Sequence, residues 1–358
     1  MKEAQLYARL ENHQVHCQLC AHSCKISEGK FGFCGVRQNI SGILYAHNYA
    51  KLVAANIDPV EKKPLYHFLP GTVTFSIASV GCNFRCGFCQ NWEISQLSPR
   101  SLTLARTSHN KCALADPIWQ GALDKRFEVL DFSADKVIKL AKQFNCRSIA
   151  YTYTEPTIYF EFVLETAKLA KEAGLRNIFV TNGYLSRQAA SFLVPYLDAV
   201  NIDLKFFKES SYQKICSAKL GPVLDSIQLL NAAGVWIEVT TLIIPGQNDT
   251  PEELTAIAKF IATVNKDIPW HISRFQPNYK FKDYVPTPEC TLKLAYDLGV
   301  SHRLRYVYVG NFASWGQDTL CGKCQKLLIK REGFKILESH LEQNRCVFCQ
   351  TVLPGVFR

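Results

Sequence analysis

Three cysteines, Cys82, Cys86 and Cys89, stand in the run from Gly81 to Trp92 with the spacing C-x3-C-x2-C, and Phe88 precedes the third. Three thiolates this close together can bind three irons of a [4Fe–4S] cluster. The fourth iron then has no protein ligand and is open to a small molecule, whereas a four-cysteine site is coordinatively closed. Two further groups have closed-site spacing. Cys17, Cys20, Cys24 and Cys34 place four thiols in eighteen residues, with glycines at 29, 32 and 35 to turn the chain around a metal. Residue types leave zinc or a second iron–sulfur cluster open there. Cys321, Cys324, Cys346 and Cys349 form two C-x2-C knuckles with zinc-ribbon spacing.

Eleven of the fifteen cysteines belong to these groups, which favours metal over disulfides in a reducing, cytoplasmic setting. The N-terminus lacks an apolar signal core, and no uninterrupted apolar run has membrane-spanning length. The net charge of +10 is modest for 358 residues, and no dense Lys/Arg run interleaves with aromatics. It reads as a solvated surface, so neither a membrane nor nucleic acid is expected as a partner.

The elements that must position these thiols follow from hydrophobic pattern. Residues 1–70 form a cysteine-rich N-terminal region with a hairpin turning at Ser41-Gly42 and a charged connector at 58–64. From 71 to 312, strand-like and helix-like runs alternate. Strands are expected at 72–78, 148–153, 177–181, 199–204, 235–242, 270–275 and 305–309. Ser133 and the Thr250-Pro251-Glu252-Glu253 capping box open helices between them. The stretch 98–130 lacks periodicity and reads as an insertion. Six or seven βα repeats imply an α/β fold, a parallel sheet covered by helices. They fall short of an eight-fold barrel, so a partial barrel is expected. Residues 313–358 form a tail with short strands around Glu332-Gly333. It reads as a structural cap or a partner-binding module, and the cap is preferred.

Strand C-terminal ends carry the chemistry in such folds. The cluster loop, Thr154-Glu155, Asn182-Gly183, Asp203, Lys205, residues 243–249 and residues 276–279 all fall there. Singly, each has a bland explanation: a helix N-terminal carboxylate, a turn, a local ion pair. Jointly they outline one ligand mouth.

With these motifs in order, the chain resembles radical S-adenosylmethionine (SAM) enzymes. It is similar to the pyruvate formate-lyase activating-enzyme branch and, in motif order over nearly the whole chain, to the radical SAM protein of the AmmeMemoRadiSam system. The resemblance implies a partial (β/α)6-type barrel in which Cys82, Cys86 and Cys89 ligate the cluster and SAM chelates its open iron. The backbone of Phe88 to Gln90 would face the adenine. Thr154 and Glu155 fall where relatives use Gly-Gly-Glu to hold the SAM amino group, with Tyr153 in place of a glycine. Asn182 is a candidate contact, and Asp203 and Lys205 match an Asp-Leu-Lys that touches the methionyl and ribose region. Tyr279 stands where the activating enzymes carry a histidine. No residue is assigned as catalytic.

The implied chemistry is reductive cleavage of SAM to a 5′-deoxyadenosyl radical that takes hydrogen from a substrate. The implied partners are a one-electron donor such as flavodoxin or ferredoxin and a substrate, either a glycyl radical enzyme, another protein side chain or a small molecule. The competing reading is a metal-stabilised binding protein that uses the zinc-ribbon tail to contact nucleic acid or protein. Three rather than four cysteines in the central motif argue against it.

Overall fold

The computed structural model describes residues 1–96 and 130–357. The insertion expected at 98–130 lies outside the described residues except for Leu130, which with Asp131 pairs antiparallel to Lys51–Leu52.

The central sheet has eight strands: β1 (Ala54–Pro59), β2 (Val73–Ala78), β3 (Ser148–Tyr151), β4 (Arg176–Thr181), β5 (Ala199–Asp203), β6 (Trp236–Ile243), β7 (Trp270–Arg274) and β8 (Val307–Gly310). They lie side by side in chain order, β2 to β8 parallel and β1 antiparallel on the outer edge of β2. Strands such as Val-Thr-Phe-Ser-Ile-Ala are apolar or small on both faces, as a sheet covered by helices requires. Among the described residues, the longer helices pack between successive strands: α1 (Ala134–Gln143), α2 (Phe160–Glu172), α3 (Arg187–Leu193), α4 (Gly221–Ala232), α5 (Pro251–Val264) and α6 (Glu289–Ser301). Ser133, Ser186 and Thr250 cap α1, α3 and α5, each accepting a bond from the backbone N–H three residues on.

One connector becomes a strand. The stretch expected to link at 58–64 begins as the end of β1 and turns through Val60–Lys62. Its charges disguise it, because buried Asp58 is neutralised: it accepts from buried Lys63 at 2.6 Å and from exposed Lys62 at 2.9 Å. The expected hairpin forms, with Ile40 opposite Ile43 and both turn residues at positive φ.

The N-terminal strands form two three-stranded sheets, joined to the core by backbone bonds such as Ala21 N–H to the Tyr184 carbonyl and by a buried ion pair. Arg37, only 1% exposed, donates to both oxygens of Glu161 on α2 at 2.7 Å. Removing one member of such a pair strands a buried charge, at a cost of about 3–5 kcal/mol.

The two ends of the sheet differ. At the strands' N-terminal end lies a buried polar network. The Glu238 carboxylate accepts from the backbone N–H groups of Tyr66 and His67 and from the rings of Trp236 and His271. His67 bonds to Tyr308 and to the carbonyl of Pro354, so the tail is tied in here. Arg331 of the tail adds bonds to Thr319 and to the Tyr66 carbonyl. Gly355 sits at φ +142 with the His67 carbonyl 2.3 Å from where a Cβ would be, so no side chain fits. The strands' C-terminal end carries the cysteine loop.

Candidate active site

The loop from Ser79 to Asn91 leaves the C-terminal end of β2 and is clasped by the turns that follow β5 and β7. The turn Tyr212–Cys216 after β5 is a π-helix, and it receives the Arg85 and Gly87 N–H groups on the carbonyls of Cys216 and Ile215. The turn Tyr279–Phe281 after β7 donates the Lys280 N–H to the Gly87 carbonyl. Phe281 approaches so closely that a Cβ on Gly87 would lie 2.7 Å from its ring. A side chain there would have to displace the Phe281 ring. Tyr279 stacks on Trp92 with ring centroids 5.0 Å apart. The residue in the family's histidine position thus packs on the cluster loop.

The three thiols sit in different surroundings. The Phe84 N–H points at the Cys82 sulfur at 3.3 Å, and Cys89 lies 3.3 Å from the Ser95 hydroxyl. Cys86 meets a fourth thiol, Cys216, at 3.5 Å. Burial pushes the Cys82 and Cys89 thiols up, and the bond to Cys216, followed by burial, does so for Cys86. A positive metal centre is what would draw these sulfurs into the thiolate form. Among the described residues, only the tail cysteines bring three or more such ligand atoms within 4.8 Å of one another. The free thiols at 82, 86 and 89, on one short and largely buried loop, offer a cluster a separate thiolate for each of three irons. The residues present therefore fit a [4Fe–4S] group.

Lys205 lies beside this loop. Its ammonium pairs with Asp203 at 2.8 Å and faces the ring of Phe88 at 5.7 Å. Burial works against its charge, but Asp203, Cys86 and Cys216 outweigh it and hold the group well above its ordinary value. The Lys205 backbone is pinned by the Tyr212 hydroxyl and by Asn248. Phe88 is buried against Phe206 and Phe281, whereas Gln90 is exposed.

Glu155 and Asn182 form a strut behind the loop. The Glu155 carboxylate is 1% exposed, and both oxygens are occupied by the chain's own donors: Thr157, Thr181 and the Asn182 N–H. Asn182 in turn donates to Asn83 Oδ1 at 2.7 Å and accepts from the Tyr184 N–H. Both side chains are spent on positioning. Thr154 is likewise engaged, its hydroxyl donating to the Ser79 carbonyl.

Tyr153 holds the backbone shape that a glycine would favour, φ +64. A non-glycine residue there costs on the order of 1 kcal/mol. The anchor is its phenol, which donates to Asp58, with Lys63 4.4 Å over the ring. Its carbonyl accepts from Asn91 of the cluster loop at 2.7 Å. Cys216 and the Asp58–Lys63–Tyr153 anchor were not legible beforehand. The only signal for Cys216 was an isolated cysteine twelve residues beyond a strand end.

The family model of the radical SAM superfamily matches residues 76–261, from β2 through most of α5. Uncharacterized protein MJ0808 of Methanocaldococcus jannaschii is 40% identical over 98% of this chain and 98% of its own length. The pyruvate formate-lyase-activating enzyme of Listeria monocytogenes is 24% identical over 61% of this chain and 75% of its own. Among solved structures, Streptococcus suis SuiB bound to S-adenosylmethionine aligns with a TM-score of 0.47 and 11% identity over 70% of this chain and 53% of that one. The chain belongs to the radical SAM superfamily and is an enzyme of that class. Membership implies a [4Fe–4S] cluster and SAM.

Proposed function

We propose that Cys82, Cys86 and Cys89 hold the cluster and that SAM lies between the cluster loop and the ends of β3 to β7. When bound, these groups supply a 5′-deoxyadenosyl radical by one-electron cleavage of SAM, and that radical takes a hydrogen atom from the substrate. The carrying observation is the clasped, buried three-cysteine loop with Lys205, Asp203 and the strut from Glu155 to Asn182 converging on it. Lys205 supplies fixed positive charge beside a carboxylate-bearing ligand. The backbone carbonyls of Thr154 and Glu155 suit the SAM amino group, and the Phe88 to Gln90 backbone suits the adenine. Phe88, Phe206 and Phe281 keep water from the loop.

The molecule divides into an N-terminal region (1–70), a partial (β/α)6-type barrel (71–312, with the insertion at 98–130) and a zinc-ribbon tail (313–358). In the tail, Cys321 and Cys349 lie 3.6 Å apart and Cys324 and Cys346 3.7 Å apart. A tetrahedral zinc with bonds of about 2.3 Å sets such edges at about 3.8 Å, which supports zinc. Its place at the strands' N-terminal end, tied to His67, favours the structural cap over a partner module. The electron donor is of the flavodoxin or ferredoxin kind, the setting cytoplasmic. The substrate is a protein, with a glycyl radical enzyme the leading class by relationship to activating enzymes.

The test is anaerobic incubation of the reconstituted protein with SAM and dithionite. Formation of 5′-deoxyadenosine, lost in Cys89→Ala, is expected. A wild-type protein that never cleaves SAM sinks the reading, and so does a Cys89→Ala variant that cleaves it equally well.

A further inference from the structure

We propose that Ser95, Cys216 and Asn182 each aim one hydrogen-bond proton at a ligand sulfur of the open site, at Cys89, Cys86 and Cys82 in turn, and together raise the reduction potential of the cluster held there. The inference rests on the reading of those three cysteines as cluster ligands. It adds the residues that set the cluster's affinity for an electron.

The direction of each bond is fixed by its surroundings. The Gln96 amide nitrogen donates to the Phe84 carbonyl at 3.3 Å, a group that can only accept, and to the Ser95 hydroxyl oxygen at 3.0 Å. Ser95 therefore accepts from Gln96, and its own proton is left for the Cys89 sulfur at 3.3 Å. Asn182 is oriented in a similar manner. Its carbonyl oxygen accepts from the Tyr184 N–H at 3.0 Å, so the other arm of the amide is the NH2. One proton of that NH2 goes to Asn83 Oδ1 at 2.7 Å, and the second faces the Cys82 sulfur at 3.9 Å. Cys216 lies 3.5 Å from Cys86. A Cys86 bound to iron has lost its proton, so the proton left on that contact belongs to Cys216.

Three separate elements supply these groups. Ser95 ends the short helix Trp92–Ser95 that follows the cysteine motif, Cys216 ends the π-helix after β5, and Asn182 follows β4. All three are buried, and each serves a different sulfur. A neutral thiol is a weak acceptor, so polar groups this deep are poorly served by neutral sulfurs. A ligand thiolate turns each contact into a charge-assisted bond.

An electron added to the cluster increases the negative charge on its sulfurs. A proton aimed at a sulfur then stabilises the reduced form more than the oxidised one, which makes the site easier to reduce. The step is the uptake of one electron from the donor protein, with no bond made or broken. The Ser95 and Cys216 contacts are closer than that of Asn182, so they carry the larger effect.

Redox titration of the full chain, reconstituted anaerobically and followed by electron paramagnetic resonance, tests the proposal. The species to follow is the one whose reduced signal changes when SAM is added. Ser95→Ala should lower its equilibrium constant for reduction about threefold, a midpoint about 30 mV more negative at ~59 mV per decade, with iron content unchanged. Ser95→Thr keeps the hydroxyl and should stay near the wild-type midpoint. If Ser95→Ala fails to fold or to hold iron, Cys216→Ala against Cys216→Ser makes the same comparison. Equal midpoints in wild type and alanine variant overturn the proposal. So does an equal shift in the variant that keeps the donor, because packing rather than the proton then sets the potential. Failure of the underlying reading looks different: no reduced species of the wild type responds to SAM, and both fall together.

Discussion

Glu155→Gln tests the strut behind the cluster loop without changing its volume. The carboxylate accepts through Oε1 from the Thr157 N–H at 3.0 Å, the Thr157 hydroxyl and the Thr181 hydroxyl at 2.8 Å, and through Oε2 from the Asn182 N–H at 2.8 Å. A carboxamide has one oxygen. If that oxygen takes the Oε1 place, its NH2 opposes the Asn182 N–H. If it takes the Oε2 place, the NH2 opposes the Thr157 N–H. The two hydroxyls can turn, but the backbone donors cannot, so either rotamer leaves one buried N–H without an acceptor. That costs about 1–3 kcal/mol. The bonds that remain lose their charge assistance, but neutralisation also relieves the burial that raises the Glu155 carboxyl. These last two effects oppose each other and are of similar size, so the net loss is about 2 kcal/mol. Urea unfolding of the apo-protein measures it. SAM-induced change in the cluster's electron paramagnetic resonance should weaken in parallel, because Asn182 positions Asn83 between two ligand-bearing turns. A Gln variant within about 0.5 kcal/mol of wild type would refute the reasoning, since surface substitutions fall in that range. It would mean that the carboxylate does not serve both N–H groups.

Three other outcomes follow from the structure. Cys324→Ser should release about one zinc per chain by metal analysis, and an iron-only wild type would end the zinc-ribbon assignment. Cys216→Ala removes the thiol 3.5 Å from Cys86, which becomes the donor once Cys86 is a ligand thiolate. Its cluster midpoint should move to more negative potential in a titration, with Cys216→Ser nearer to wild type, and an unmoved midpoint in both would exclude that role. Burial lowers His67 to about 4, so the native state resists a proton that the unfolded chain accepts near pH 6.5. Its stabilisation is complete above pH 6.5 and is lost as pH falls toward 4. At pH 5 the loss is about 2 kcal/mol relative to pH 7. Urea unfolding at both values should show this extra slope in wild type and not in His67→Gln, and equal slopes would contradict it.

Much of the α/β core was legible because local chemistry and burial coincide there. Parallel strands buried on both faces need continuous apolar runs, and helices between them need caps, so Val73–Ala78, Ser133 and Thr250 declare themselves. The edge strand β1 did not, because its one charged residue, Asp58, is paired by lysines from the turn that follows. Spacing alone marks the cysteine groups, since ligands on one short loop can share a metal whatever surrounds them.

Tertiary structure decided what spacing leaves open. It brought the N-terminal cysteines to the open loop and set the tail cysteines at the opposite end of the sheet. It spent the Glu155 carboxylate on the Asn182 N–H and the Asn182 side chain on Asn83. It also set Cys216 against Cys86 and let a tyrosine keep a glycine's backbone shape. Each of these joins residues far apart in the chain. Hydrogen bonding and packing at such separations depend on how every intervening element folds, and periodicity and composition carry no record of that.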